Sequence, residues 1–269
     1  MKKVKEKKVK ARKPFYKKAW FWIIAIIIVI GATGGNDDSD SSTTNSNTET
    51  KVSQTQTIEN KDDAPKDDVP AEYLNALKKA KSYSDMMHMS KAGIYDQLTS
   101  EYGEGFEADA AQYAIDNLDA DWNENALKKA KSYSETMYMS KAGIYDQLTS
   151  EYGEQFTAEE AQYAVDNLKA DWNKNALEKA KSYQESMSMS KSAIYDQLVS
   201  SYGEQFTAEE AQYAIDNITV DWKENALKKA KLYQETMSMS PAAIYDQLTS
   251  EYGEKFTAEE AQYAIDNLN

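Results

Sequence analysis

The sequence predicts an all-α protein: four tandem three-helix repeats of 50 residues, helix-turn-helix-like, after an N-terminal transmembrane helix and a disordered linker. Ile-Tyr-Asp-Gln-Leu at residues 94–98 returns three times at a constant spacing of 50 residues. From position 75 to position 118, 27 of 44 residues are the same in all four copies. Self-similarity at a fixed period is typical of a modular array of small units. The predicted repeats are residues 71–120, 121–170, 171–220 and 221–269.

The first 35 residues predict a membrane anchor. Residues 1–18 carry ten lysine or arginine side chains and one acid, and residues 19–35 are apolar or small. A basic flank favours the cytoplasmic side, and Trp20 and Trp22 are suited to the headgroup level. We therefore predict a cytoplasmic basic head at 1–18 and a short single-pass transmembrane helix at 19–35, with the C-terminus extracellular. A cleaved signal peptide is the alternative interpretation.

Residues 36–70 predict a disordered polar stalk, because Asn, Asp, Ser, Thr and Glu dominate and large apolar side chains are nearly absent. The whole chain has 31 basic and 45 acidic side chains, a net charge of −14. Without the head, which contributes ten basic side chains and one acid, 21 basic and 44 acidic side chains remain, a net charge of −23. This field should repel nucleic acid and anionic surfaces.

Each copy is predicted to begin with an amphipathic helix, which is clearest in the second copy. Its apolar side runs from Trp122 through Tyr133 to Met137 at helical spacing, with lysines and glutamates on the other side. The pattern predicts a helix of about 16 residues. Asp121 is the predicted N-cap, and Glu124 three residues later suggests a capping box.

A second helix is predicted to follow directly. Ser140 is its predicted N-cap, with Met139 packed on Ile144 as a hydrophobic staple. In the fourth copy Pro241 replaces a lysine immediately after the cap. This is the helical position at which proline is favoured, so the fourth copy supports the same register.

The predicted buried stripe of this second helix consists of Ile144, Tyr145, Leu148 and Tyr152. These residues recur at helical spacing on one side. Gly153 follows directly and is expected to end the helix, because glycine readily adopts the left-handed conformation of a C-cap.

A third helix is predicted after Phe156, its apolar lead-in. Thr157 and Glu160 form a predicted capping box, and Val165 belongs to the side that faces inward. The first copy has Glu107 in place of the threonine and lacks this box. We therefore expect its third helix to be the most frayed of the four.

A unit of fewer than 50 residues buries little core and would be marginally stable alone. Tryptophans at 122, 172 and 222 lie just after the junctions between copies. We expect each to pack its helix against its own repeat or against the preceding one.

The second and third helices, joined by a tight turn, resemble a helix-turn-helix and raise the hypothesis of DNA binding. The outward side of the third helix should then offer cations to phosphates. In the second copy that side carries Glu159, Glu160 and Asp166 and no lysine or arginine. We therefore predict no binding to nucleic acid.

The residue types needed for catalysis are scarce. The chain has no cysteine, and its single histidine, His88, corresponds to Tyr138, Ser188 and Ser238 in the other copies. A glycine-rich phosphate loop is also missing. We therefore predict that the protein is not an enzyme and uses neither a cofactor nor a small-molecule substrate.

Acids at the first junction raise the hypothesis of a calcium site. Four acids are close in sequence, but the turn glycine of an EF-hand loop is missing. They are Asp116, Asp119, Asp121 and Glu124. At the next junction Lys169 and Lys174 replace two of the acids. We predict helix caps and solvated turns here, and no metal site.

A glutamine, a tyrosine, an aspartate and an asparagine of the third helix are the same in every copy and lie largely off its buried side. A partner-binding face and recent duplication explain this identity about equally well. The candidate binding residues are Gln112, Tyr113, Asp116, Asn117, Gln162, Tyr163, Asp166, Asn167, Gln212, Tyr213, Asp216, Asn217, Gln262, Tyr263, Asp266 and Asn267.

Residues 137–150, Met-Tyr-Met-Ser-Lys-Ala-Gly-Ile-Tyr-Asp-Gln-Leu-Thr-Ser, and residues 156–164, Phe-Thr-Ala-Glu-Glu-Ala-Gln-Tyr-Ala, resemble the Ltp family. These are host cell surface-exposed lipoproteins with helix-turn-helix-like repeats, found in Gram-positive bacteria and their prophages. The resemblance covers residues 73–269. It implies surface display and, for phage-borne members, superinfection exclusion, in which DNA entry by a second phage is blocked at the envelope. It supplies no catalytic residues.

The chain departs from the family pattern at one point. Family lipoproteins carry a lipid-modified cysteine after the signal segment, and this chain has no cysteine. The apolar residues 23–30 would therefore have to replace the lipid as the anchor.

These observations predict a membrane-anchored, extracytoplasmic array that binds a protein partner, such as a phage tail or DNA-injection component. The leading function is superinfection exclusion by interference with phage DNA entry. The alternative is a chromosomal cell-surface or wall-associated binding protein with no phage role.

Overall fold

The computed structural model describes residues 69–268, and within them every regular element is an α-helix. These residues belong to one compact unit, Asp63–Asn269. The predicted head, transmembrane helix and nearly all of the predicted stalk lie outside the described residues. The described helices are α1 (Ala71–Met87), α2 (Lys91–Thr99), α3 (Ala108–Asn117), α4 (Trp122–Met137), α5 (Lys141–Thr149), α6 (Ala158–Asn167), α7 (Trp172–Met187), α8 (Lys191–Val199), α9 (Ala208–Asn217), α10 (Trp222–Met237), α11 (Pro241–Thr249) and α12 (Ala258–Asp266). They form four three-helix repeats, which confirms the predicted all-α array of repeats.

Each repeat has its own small core, in which alanines lie between the first and third helices. In repeat 2, Ala126 of α4 and Ala161 of α6 are fully buried. Ile144 and Leu148 of α5 are also fully buried and belong to the same core cluster. Phe156, which precedes α6, is 3% exposed and completes this cluster.

The first helix of repeat 2 has the predicted length, 16 residues from Trp122 to Met137. The Asp121 side chain accepts a hydrogen bond from the backbone N–H of Glu124 at 3.0 Å. The predicted capping box is only half formed, because Glu124 instead lies 3.7 Å from the ammonium of Lys128. Met137 was predicted on the apolar side but is 50% exposed, since the helix ends there.

The second helix begins as predicted and ends earlier. Ser140 caps α5 by accepting the N–H of Gly143 at 3.0 Å, and Pro241 is the first residue of α11. The predicted C-terminal half was wrong in two respects. Helix α5 stops at Thr149, so Tyr152 lies on the following turn and is 69% exposed.

The second error concerns the glycine. The left-handed residue of this turn is Gln155, with φ of 58°, and Gly153 is required for a different reason. A Cβ on Gly153 would lie 2.4 Å from the carbonyl oxygen of Gln147, where no side chain fits. This close approach lets the N–H of Glu154 donate to that same carbonyl at 3.1 Å.

The third helix confirms the predicted capping box in repeats 2 to 4. In repeat 2 the Thr157 hydroxyl accepts the N–H of Glu160 at 3.2 Å, and the Glu160 carboxylate accepts the N–H of Thr157 at 2.9 Å. In repeat 1, Glu107 makes no capping bond with its side chain. Greater fraying of α3 stays a prediction.

A polar link ties the first helix of each repeat to the turn after the second helix. In repeat 2, the Tyr133 hydroxyl donates a hydrogen bond to the Glu154 carboxylate, which also lies 3.0 Å from the Lys129 ammonium. Burial and this hydrogen bond raise the pKa of Tyr133 above its usual value. In repeat 1, hydrogen bonds from Tyr83 and Lys79 lower the pKa of the corresponding glutamate.

Each of the three junction tryptophans packs against the core of the preceding repeat, so of the two predicted partners, its own repeat and the preceding one, the structure selects the preceding one. Trp122 contacts the core of repeat 1, and Trp172 and Trp222 contact those of repeats 2 and 3. A neighbouring repeat therefore completes a core that is small by itself.

We expect Gly153→Ala to destabilise repeat 2, because the added Cβ would clash with the Gln147 carbonyl. Misfit of one methyl group in a packed site costs about 1–3 kcal/mol. Thermal and urea unfolding followed by circular dichroism would measure the loss. The matched control is Gly143→Ala, whose position holds alanine in repeats 3 and 4 and which should be neutral or stabilising. Equal stability of the two variants would contradict the assigned role of Gly153.

The tyrosine–glutamate links should make the array sensitive to alkaline pH. A folded-state pKa raised above that of the unfolded chain means that the native state holds the proton more tightly. The stabilisation that these tyrosines give to the folded state is therefore present below about pH 10 and is lost as the pH rises further. Urea unfolding between pH 8 and pH 11 should show this loss. Replacing Tyr133, Tyr183 and Tyr233 together by Phe should reduce it, whereas the exposed Tyr252→Phe should not.

Candidate binding face and inter-repeat grooves

The candidate binding residues predicted from the sequence lie on the C-terminal half of the third helix in every repeat. In repeat 2, Gln162, Tyr163, Asp166 and Asn167 are all exposed, and Tyr163 retains 41% of its accessible surface. Their counterparts in repeats 3 and 4 are exposed in the same way. In repeat 1, Tyr113 is half-buried. The structure thus presents the same small polar face four times.

Local hydrogen bonds account for part of the identity of these residues. In repeat 2 the Gln162 amide donates to the Asp166 carboxylate at 2.7 Å, and the Asn167 amide donates to the Tyr163 carbonyl at 2.8 Å. The same two bonds recur in the other repeats at 2.7 to 2.8 Å. Such i,i+4 bonds stabilise the last turn of the helix and also fix the orientation of the exposed side chains.

The charge of the face differs between repeats. In repeat 2 the Lys141 ammonium lies 2.9 Å from the Asp166 carboxylate. Hydrogen bonds from Lys141 and Gln162 hold the pKa of Asp166 below its usual range, so this carboxylate stays ionised at neutral pH. Repeat 4 has Pro241 in place of the lysine, so Asp266 has no lysine at this position to neutralise it.

The tyrosine of the face also has different neighbours in different repeats. In repeat 1 the Tyr113 ring lies 5.4 Å from the Tyr73 ring in a tilted arrangement. In repeat 4 the Lys223 ammonium lies 5.9 Å from the centre of the Tyr263 ring and pairs with Glu259 at 2.7 Å. The face is thus the same in sequence but not in its immediate surroundings.

Next to the face, successive repeats enclose a groove. The groove between repeats 2 and 3 has a volume of about 430 Å³ and that between repeats 1 and 2 about 340 Å³. Gln162 and Gln112 line the two grooves, whereas the tyrosine, aspartate and asparagine of each face do not. The larger groove is lined by Lys141, Ala142, Tyr145, Asp146, Gln162, Val165, Trp172, Gln205, Thr207 and Glu210.

A hydrogen bond from the following repeat spans each groove. Gln205 of repeat 3 donates to Asp146 of repeat 2 at 2.9 Å, and Gln155 donates to Asp96 at 3.0 Å. At the third junction Lys255 replaces the glutamine and lies 2.5 Å from Asp196. These contacts connect residues 59 positions apart, so the helical pattern of the sequence did not reveal them.

A buried asparagine fixes each junction, a role that the helical pattern of the sequence does not predict. The Asn175 amide donates to the Ser134 hydroxyl at 2.9 Å and to the Met139 carbonyl at 3.0 Å. The Asn125 amide makes the corresponding pair of bonds to repeat 1, and the Asn225 amide donates to the carbonyl of Met189. The available signal was an asparagine at the same position in every copy.

Within residues 69–268, no group of three or more histidine, cysteine, aspartate or glutamate side chains is arranged to hold a metal ion. Over the same residues, no helix combines the length and apolar character that crossing a membrane requires.

Comparison with known proteins places these repeats in a family. No curated protein matches the chain. The solved structure of Ltp, a superinfection exclusion protein from the Streptococcus thermophilus temperate phage TP-J34, is 48% identical over 38% of this chain and 99% of that protein, with a TM-score of 0.35. The family model for host cell surface-exposed lipoproteins of the Ltp type matches residues 71–118, 121–168, 171–218 and 221–268. These segments cover well over half of the chain, which therefore belongs to the family of host cell surface-exposed lipoproteins.

Proposed function

We propose that this protein is an extracytoplasmic protein-binding array that excludes superinfecting phage by interfering with DNA entry at the cell envelope. The observation that carries the proposal is the fourfold presence of the family repeat, each copy with the same exposed polar face on its third helix. Surface exposure is a property of the family, and exclusion is the role that the Ltp resemblance implies for phage-borne members.

The geometry of the face supports binding to a protein. Hydrogen bonds within each third helix orient its glutamine and asparagine side chains in advance, which lowers the entropy cost of association. The adjacent groove supplies apolar surface from Tyr145, Val165 and Trp172. A polar face beside an apolar groove suits a folded or extended polypeptide, such as a phage tail or DNA-injection component.

The chemistry of the face disfavours nucleic acid and catalysis. The outward acids of α6 would oppose phosphate contact, which supplies most of the non-specific affinity for DNA. The chain also lacks cysteine, and its single histidine, His88, is replaced by tyrosine or serine in the other repeats, so a nucleophile–histidine pair cannot be a feature of the repeat. We therefore propose a binding protein without enzymatic activity.

Repetition adds to this function. Four weak sites on one chain act at high effective concentration, so the array can bind much more tightly than one repeat. The benefit is greatest when the partner has several contact points or is present in several copies.

A second candidate is a chromosomal cell-surface or wall-associated binding protein with no phage role. Its support is that the chain has no cysteine and so departs from the lipid attachment of the family, which weakens the transfer of the exclusion role from lipid-anchored members. In both cases we propose attachment through a single membrane pass at residues 19–35, with a cytoplasmic N-terminus.

The face can be tested by replacing its glutamine, tyrosine and aspartate by Ala, Ala and Lys in all four repeats. Tyr113 of repeat 1 is kept, because it is half-buried against Tyr73. Exposed substitutions usually change stability by no more than about 0.5 kcal/mol each, so helicity should be nearly unchanged and melting little affected. Phage protection in a plating assay should be lost, and changing one repeat should reduce it less.

The control for this experiment is Leu148→Ala, which removes a fully buried side chain and should cost about 2–5 kcal/mol. It should impair protection by unfolding repeat 2. A folded face variant that still protects at full strength would show that the third-helix face is not the binding site.

The proposed topology predicts that protease added to intact, wall-stripped cells removes the array. Immunoblotting with antibodies to the repeats and to residues 1–18 would follow the two parts separately. The head should remain protected in the membrane fraction. Protection of the repeats in intact cells would exclude the proposed orientation.

A further inference from the structure

The junctions between repeats are built from a small set of recurring polar contacts. At the third junction the Ser190 hydroxyl of repeat 3 donates to the Glu254 carbonyl of repeat 4 at 2.5 Å, and the Asn225 amide of repeat 4 donates to the Met189 carbonyl of repeat 3 at 3.1 Å. Ser190 and Asn225 are each 1% exposed. Each side of the junction thus contributes one buried polar side chain and one backbone carbonyl.

The same groups recur, exposed, on the outer sides of repeats 1 and 4. Ser240 of repeat 4 is the counterpart of the buried serine, follows Met239 directly and is exposed. Asn75 of repeat 1 is the counterpart of the buried asparagine and is also exposed, and Glu104 holds the position of the turn carbonyl. Repeat 4 therefore carries one half of a junction, and repeat 1 carries the polar groups of the other half.

A further acceptor of the junction is present on repeat 4. Asp246 is exposed and corresponds to Asp196, which pairs with Lys255 of the following repeat. Gln234 likewise corresponds to Gln184, whose amide donates to the carbonyl oxygen of the Asn225 side chain at 3.2 Å. The outer side of repeat 4 thus repeats the chemistry with which repeat 3 receives its neighbour.

Two junction contacts are missing on repeat 1, and they limit the strength of any binding between the two surfaces. Glu72 stands at the position of the junction tryptophans, and Gly105 stands where the other repeats have glutamine or lysine. The internal junctions also form at the high effective concentration that a covalent connection gives, whereas separate copies lack this advantage. Binding between copies should therefore be weak and reversible, and strongest where copies are crowded together.

We propose that copies of this chain associate head to tail, with repeat 1 of one copy placed on the outer side of repeat 4 of another, as successive repeats are placed at the internal junctions. The partner is a second copy, because Asn75 and Ser240 are both exposed and so do not cover each other within one chain. A contact between two different surfaces leaves one of each open, so it produces open chains of copies. The proposal is independent of the phage partner, for which such chains would multiply the available faces.

The absence of cysteine permits a position-specific test with the full chain in membranes. Gly105→Cys and Asp246→Cys place one thiol on each side of the proposed contact, at positions equivalent to Lys255 and Asp196. Lys255 has the same left-handed backbone as Gly105, so a side chain is accommodated there. When the two single variants are expressed together, a short bismaleimide should link them into a dimer, and either variant alone should give far less.

The matched positive control carries both Asp196→Cys and Lys255→Cys in one chain. These positions face each other across an internal junction, so the same reagent should link them within the chain. This control shows that the reagent spans the contact, and a shift in electrophoretic mobility without a dimer would report it.

Repeat 1 also offers variants of opposite effect. Glu72→Trp restores the missing ring and should raise the yield of linked dimer at limiting expression about tenfold, whereas Glu72→Gln removes only the charge and should change it little. Asn75→Ala should lower the yield about five- to tenfold, because a buried hydrogen bond is lost. All three side chains are replaced at exposed positions, so thermal unfolding of the repeats should be nearly unchanged.

Equal dimer yields from the mixed pair and from either single variant, with the internal control fully linked, would overturn the proposal. A dimer that Glu72→Trp does not increase and Asn75→Ala does not reduce would also overturn it, because association would then use another surface. Phage protection is not a readout of this experiment. The third-helix face variant should lose protection and still form the dimer at unchanged yield, so failure of one proposal is distinguishable from failure of the other.

Discussion

The placement of each repeat against the preceding one depends on the hydrogen bonds of a buried asparagine in the first helix of the following repeat. Asn225 is 1% exposed, and its amide donates to the Met189 carbonyl of the preceding repeat. A buried amide that loses its partner costs about 1–3 kcal/mol, so a shift between repeats is penalised. The nearby tryptophan adds apolar contact but does not impose a register, because apolar packing has no fixed direction. The polar contacts of the asparagine therefore specify how the repeats are aligned, and the apolar contacts of the tryptophan add stability.

This junction also determines how the candidate sites are presented. Each groove exists only because two repeats are held together, with one wall from the second and third helices of one repeat and the other from the next repeat. At the last junction Lys255 replaces the glutamine and forms an ion pair with Asp196. This contact should therefore be weakened by salt, unlike the glutamine hydrogen bonds at the other two junctions. The polar faces, in contrast, are formed within single helices and depend little on the neighbouring repeat.

The acidity of the array limits which partners can approach each surface. The third helix of repeat 2 carries Asp166, whose pKa is lowered by hydrogen bonds from Lys141 and Gln162, and the outward sides of the third helices carry further acids. This charge would match the cationic or amphipathic polypeptide that we propose as partner better than it would match nucleic acid or an anionic membrane.

The sequence by itself determined the repeat, the helices and most of their caps, because these depend on side chains three or four positions apart. Ser140, Thr157 and Pro241 predicted their helix starts correctly for this reason. Only the tertiary structure decided the end of the second helix, the exposure of Tyr152 and the partners of the asparagines and tryptophans. Asn175 reaches Ser134 across 41 positions, and the Ser190 hydroxyl reaches the Glu254 carbonyl across 64. Helical periodicity cannot predict contacts over such sequence separations, because it shows which side of a helix is apolar and not which residues pack against that side.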